Sequence, residues 1–150
     1  MSGPAARPGL PVAAASPAAG PAAHWVIGLK NPLRIEQRLG ELRLHDQALG
    51  TSGAQFQSFR HQGQRYGHIL DPRTGWPAQG VLSATVLASS AAWADALSTA
   101  FYVLGPAAAM EYCRQHADIA TLMLCPAAGG NQLEIHSAGL AAHQWRLQAD

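Results

Sequence analysis

Residues 81–105 constrain the fold more than any other part of the chain. VLSATVLAS (81–89) carries the strongest strand signal, with Val81, Ser83, Thr85 and Leu87 on one side and Leu82, Ala84, Val86 and Ala88 on the other. Ser90 then takes a helix N-cap position. Trp93, Ala96, Leu97, Ala100, Phe101 and Leu104 follow at i, i+3, i+4, i+7, i+8 and i+11, an apolar stripe along one helix face. Gly105 ends that helix, and Pro106 suits the first turn of a second one reaching about His116.

Short strands flank this block. HWVIGLK (24–30) is apolar with β-branched residues and stops at Asn31-Pro32, while ELRLHD (41–46) alternates Leu42 and Leu44 with charge. Gly50-Thr51-Ser52-Gly53 reads as a backbone-exposing turn. QFQSFRH (55–61) and RYGHIL (65–70) make a hairpin across Gln62-Gly63-Gln64, although Phe56 and Phe59 fall on opposite faces. DPRTGWPAQG (71–80) is a turn-dense loop. DIATLMLCP (118–126) and QLEIHSAG (132–139) pair around Gly129-Gly130, and a last strand covers His143 to Leu147. Connections this short favour antiparallel pairing. The expected fold is therefore α+β, a mostly antiparallel sheet with two consecutive helices packed on one face.

Residues 1–23 contain nine Ala, five Pro and three Gly, a composition that builds no packed face. The expected organisation is a disordered tail over 1–23 and one domain over 24–150. A formal charge of +1, with Arg and Lys scattered, lacks the basic stripe of a nucleic-acid surface. No run is long enough for a membrane-spanning helix. The first 23 residues show neither the basic start and leucine-rich core of a secretory signal nor a cysteine to carry lipid, so the expectation is a protein that stays where it is made, in the cytoplasm. Cys113 and Cys125 lie outside any CxxC and read as small buried thiols.

The polar side chains of the first helix cluster. Asp95, Ser98, Thr99 and Tyr102 lie opposite the Trp93–Leu104 stripe, and Asp95 and Thr99 stand one turn apart on one face. A carboxylate and a hydroxyl are hard oxygen donors of the kind magnesium takes, with phosphate oxygens and water completing its octahedron. On spacing alone an ordinary account serves as well: Asp95 favours the helix dipole and Thr99 faces solvent. Asp71-Pro72-Arg73-Thr74-Gly75 is a rigid turn in which Asp71 can bond backbone amides. His68 is one of seven histidines and has no distinction in isolation.

ADALSTAFYVLG (94–105) closely resembles the signature helix of the ApbE family, the FAD:protein FMN transferases. GHILDPRTGWP (67–77) resembles the other signature in the C-terminal half of that family. GTSG (50–53) with its following hairpin, and HWVIGLKNP (24–32), also match family pattern. These features follow the family's order near its spacing and cover essentially all of 24–147.

The resemblance implies the C-terminal half of such an enzyme. The implied reaction is magnesium-dependent transfer of FMN from FAD to a Thr or Ser hydroxyl of a target flavoprotein, a phosphoryl transfer that releases AMP. By the same resemblance Asp95, Thr99 and Ser98 hold Mg2+, Ser98 standing where many relatives carry a second aspartate. His68 is the base that takes the acceptor's proton, a role that histidine as a residue type suits near neutral pH. Ile69 and Leu70 line the flavin pocket. The implied partners are FAD as substrate, an acceptor flavoprotein, and a separate N-terminal half or a second copy of the chain, because the family's first half brings flavin-binding loops and a further magnesium ligand. The alternative is a non-catalytic half that binds flavin nucleotide or a partner.

Overall fold

The computed structural model describes residues 24–54, 58–129 and 132–148. The Ala/Pro-rich segment 1–23, Phe56 and Gly130 lie outside the described residues. In chain order the elements are β1 (Trp25–Lys30), β2 (Arg38–Leu44), β3 (Ala48–Gly53), β4 (Ser58–His61), β5 (Gln64–Gly67), β6 (Ser83–Ala88), α1 (Ala91–Leu104), α2 (Pro106–Gln115), β7 (Ala120–Pro126), β8 (Leu133–Ala138) and β9 (Trp145–Leu147).

β6 lies inside a four-stranded antiparallel sheet of order β3-β6-β7-β8. Its alternation serves two cores. Ala84, Val86 and Ala88 point to the helices and pack with Leu97, Phe101, Ala109 and Met123. Leu87 joins Leu42, Leu44, Leu122 and Leu124 on the opposite face. There a three-stranded antiparallel sheet, β1-β2-β9, covers it. Helices, sheet and second sheet thus form three layers, and the fold is α+β with both helices on one face. Each fully buried Leu, Val or Phe contributes about 1.5–3 kcal/mol, so these two cores hold the domain rather than helix propensity. β4 and β5 form a separate hairpin with Phe59 stacked on Tyr66 at 5.5 Å.

The structure corrects the reading of residues 50–53. They are the second half of β3, paired with β6 from Ala48↔Ala88 to Gly53↔Ser83, and not a turn. Pairing along the whole of β6 and contact with α1 override the poor strand propensity of Gly and Ser. The buried face of α1 also differs from the apolar stripe. It is Ala94, Leu97, Ser98, Phe101 and Tyr102, whereas Trp93 is 59% exposed and Leu104 50%. Small residues on β3 admit the helix closely on that face, and Ser98 finds a polar partner there. Ser90 occupies the N-cap position without a side-chain capping bond. Strand β5 stops at Gly67, so His68, Ile69 and Leu70 follow the hairpin instead of ending it. No helix among the described residues is long and apolar enough to cross a membrane.

Cys113 and Cys125 are buried, unbridged thiols. Burial pushes the Cys113 thiol up to about 11, and burial together with the nearby Glu134 raises that of Cys125. At pH 8 both are expected to resist a thiol reagent for as long as the fold holds, and to react at once in denaturant. Reaction of the native chain at a free-thiol rate would show that these residues are exposed. The sign for stability follows. A thiol whose folded pKa is raised stabilises the fold below its unfolded value, and the contribution is lost as pH climbs from about 9 towards 11.

Candidate functional site

The site is built where β3 meets α1. Alternation along β3 sends Ala48, Gly50 and Ser52 toward the helices, and Leu49 and Thr51 toward the other sheet. At Gly50 the helix backbone comes very near. A Cβ built there would stand 2.5 Å from the Ala94 carbonyl oxygen and 2.8 Å from the Asp95 nitrogen. This approach brings the next inward residue, Ser52, onto α1. Its hydroxyl lies 2.9 Å from Ser98 Oγ and 2.9 Å from Thr99 Oγ1.

The helix ties the same hydroxyls to itself. Ser98 Oγ donates to the Asp95 carbonyl at 2.9 Å, and Thr99 Oγ1 has that oxygen as a second, longer acceptor at 3.4 Å. Ser98 is 0% exposed, so the residue expected as a third metal ligand sits behind Thr99 with its proton already placed. Asp95 and Thr99 are both exposed. Asp95 is the fifth residue of α1, and the first turn holds no acidic residue, which leaves the dipole account of Asp95 without its geometry. Thr99 likewise does more than face solvent, because it bonds Ser52.

The strip 67–77 reaches the same helix farther along. A Cβ at Gly67 would lie 4.0 Å from the Tyr102 hydroxyl, and both residues line a hollow of about 190 Å³ with Ala54, Ala78, Val81 and Leu82. Tyr102 stands seven residues beyond Asp95. The strip therefore meets α1 at the tip of the Tyr102 side chain. His68, next to Gly67, is exposed. Ile69 is partly buried against the helix-side core and its carbonyl accepts from the Ala78 amide at 2.9 Å, whereas Leu70 faces outward at 57% exposure.

Arg73 fastens this strip. Its Nε donates to Asp71 Oδ1 at 2.9 Å and its Nη2 to Asp71 Oδ2 at 2.7 Å, while Nη2 also reaches the Val103 carbonyl at 3.3 Å. The turn thereby links to the C-terminal end of α1. The guanidinium's hydrogen bond holds the Asp71 carboxyl below the usual carboxylate range. A group whose folded pKa is lowered stabilises above its unfolded value and loses that as pH falls through the folded one, so the clamp is intact at neutral pH.

Ser52 is the residue that sequence reasoning missed. Its bond to Ser98 spans 46 positions, and no local pattern signals it. Among the described residues no group of three or more His, Cys, Asp or Glu converges on one point. Any cation here would have to be held by mixed oxygen donors.

The sequence profile of the ApbE family matches residues 12–123. The FAD:protein FMN transferase of Klebsiella pneumoniae is 38% identical over 98 residues, 64% of this chain and 31% of the relative. That of Haemophilus influenzae is 36% identical over 95 residues, 61% of this chain and 28% of the relative. Two solved structures are similar as well. The ApbE protein from Thermotoga maritima gives a TM-score of 0.61 at 36% identity, over 75% of this chain and 36% of that one. The flavin transferase ApbE from Vibrio cholerae gives 0.62 at 31%, over 76% and 35%. The chain thus spans about a third of the length of the relatives it matches.

Proposed function

The chain belongs to the ApbE family, and from that premise we propose that it supplies the metal-binding helix and the base-bearing strip of a flavin transferase. The reaction is magnesium-dependent transfer of FMN from FAD to a Thr or Ser hydroxyl of an acceptor flavoprotein, with release of AMP. The observation that carries this reading is the pair of exposed oxygen donors on α1, Asp95 and Thr99, backed by Ser52, on the helix to which Arg73 also ties the His68 strip.

The donor set suits the metal. A carboxylate and an alcohol are hard oxygens, and two protein ligands leave most of the octahedron to phosphate oxygens and water. Bound there, magnesium neutralises charge on the diphosphate of FAD. Asp95 contributes the negative charge and Thr99 a neutral lone pair, while Ser98 bonds the Ser52 hydroxyl that in turn meets Thr99. His68 takes the acceptor's hydroxyl proton, and Ile69 and Leu70 border the flavin. Positioning and charge supply most of the rate in such a transfer, so the rigid turn and helix matter as much as the base.

A second reading rests on the share of the relatives that this chain matches. In it, Asp95, Thr99 and His68 enter a site that a further segment or partner completes. One experiment separates the two. The 150-residue chain is incubated with FAD, magnesium and an acceptor flavoprotein, alone and then with the remaining portion of a full-length relative. Covalent flavin in the first arm supports the transferase reading, and covalent flavin only in the second supports the completed-site reading. No labelling in either arm, beside a working full-length relative, would refute both.

A further inference from the structure

One direction of the hydroxyls at the β3–α1 contact satisfies every short bond among them. A carbonyl oxygen only accepts, so the Ser98 proton lies on the Asp95 carbonyl. Ser98 Oγ can then only accept from Ser52, 2.9 Å away, and that uses the one Ser52 proton. Between Ser52 and Thr99, also 2.9 Å apart, Thr99 then donates, in place of its longer 3.4 Å bond to the Asp95 carbonyl. The order is Thr99 to Ser52 to Ser98 to the Asp95 carbonyl. Each proton points into the fold, and the Thr99 oxygen is left with lone pairs on its exposed side.

We infer that Ser52 is a positioning residue that holds the Thr99 hydroxyl as a pure acceptor toward a divalent cation. The inference rests on the magnesium reading of Asp95 and Thr99 given above. It adds a cause for their readiness. A freely rotating threonine hydroxyl spends part of its time with the proton facing the cation, and its rotamer must be fixed at the moment of binding. Ser52 fixes both beforehand, because it takes the Thr99 proton from a buried and well-packed strand position. The alternative acceptor, the Asp95 carbonyl, is farther from Thr99 at 3.4 Å and already holds the Ser98 proton. Without Ser52, Thr99 keeps only that weaker anchor, and Ser98 loses its donor.

The test uses Mn2+ alone as the probe, titrated into the full 150-residue chain and followed by paramagnetic broadening of backbone amide resonances. In the wild-type chain the broadening is expected to centre on Asp95 and Thr99. Ser52→Ala should raise the Mn2+ dissociation constant about five- to tenfold. Ser52→Thr restores the hydroxyl and should recover affinity to within about twofold, whereas Ser52→Val has the same shape without it and should track alanine. Valine matching threonine overturns the role of the Ser52 hydroxyl and leaves the metal reading standing. Absence of broadening at Asp95 and Thr99 in the wild-type chain overturns both. Should circular dichroism show that threonine and valine are too large to fold there, wild type against alanine decides, and equal dissociation constants overturn the inference.

Discussion

Replacing Asp95 with alanine is expected to lower flavin transfer by at least about a hundredfold and to abolish its response to magnesium. The size follows from charge. Asp95 is the one carboxylate of the proposed donor set, and without it only a neutral hydroxyl remains to face a divalent cation and an anionic diphosphate. Thr99→Ala should cost less, about tenfold, because water can take the place of a neutral ligand. The fold gives the test its control. The Asp95 side chain is exposed, and the bonds that Ser98 and Thr99 make to residue 95 go to its backbone carbonyl, which alanine keeps. Stability should therefore change by no more than about 0.5 kcal/mol. Asp95→Asn preserves the shape and should fall with alanine. The assay is transfer to the acceptor flavoprotein in the arm that labels it, across a magnesium titration. A rate and a magnesium response both unchanged in Asp95→Ala would remove Asp95 from the site.

The central block was legible because its signals are local. The alternation of 83–88, the Gly105-Pro106 break and the two helices appear as read, and short connections do pair the strands antiparallel. The face of α1 was misread for a physical reason. Hydrophobicity marks Trp93 and Leu104 as inward and Ser98 and Tyr102 as outward, yet burial goes to the residues that fit the surface opposite. That surface is β3, where Gly50 and Ser52 admit a close helix and Ser52 satisfies Ser98. A buried hydroxyl with a partner costs little, and a Trp on a helix rim is ordinary.

The candidate site divides along the same line. That Asp95 and Thr99 share a helix face is legible from their spacing, since i and i+4 do so in any context, whereas their reading as a donor pair came from the resemblance. His68 gained its place only from the resemblance of the strip around it, which touches α1 at the Tyr102 hydroxyl and the Val103 carbonyl. Ser52 was hidden in a segment read as a turn. The Gly and Ser residues of β3 have poor strand propensity, and its partners across β6 and α1 define it. The resemblance marked GTSG as a family feature without saying what it does. The close approach at Gly50 gives it a function, which is to set the distance between helix and strand.

That distance should be intolerant of a single methyl group. Gly50→Ala is expected to destabilise the chain by about 3 kcal/mol, at the upper end of what overpacking costs. Three of its neighbours decide the magnitude. The added Cβ would meet the Ala94 carbonyl oxygen at 2.5 Å, its carbon at 2.6 Å and the Asp95 nitrogen at 2.8 Å, all backbone atoms inside a helix. None of them can swing aside as a side-chain tip does, so the helix or the strand must shift as a body. Gly28 supplies the contrast. There the nearest atom is Arg38 Nε at 3.1 Å, on a long side chain that can move, and Gly28→Ala should change stability by no more than about 0.5 kcal/mol. The effect at Gly50 is not a matter of backbone freedom, because Gly50 is not among the residues of positive φ. It should also reach the site, since any separation of β3 from α1 lengthens the bonds from Ser52 to Ser98 and Thr99. Urea unfolding followed by circular dichroism measures the first effect, and Mn2+ broadening at Thr99 in the folded fraction measures the second. A Gly50→Ala chain as stable as wild type would show that α1 does not rest on β3 at this point, and the hydroxyl chain that depends on the contact would lose its support.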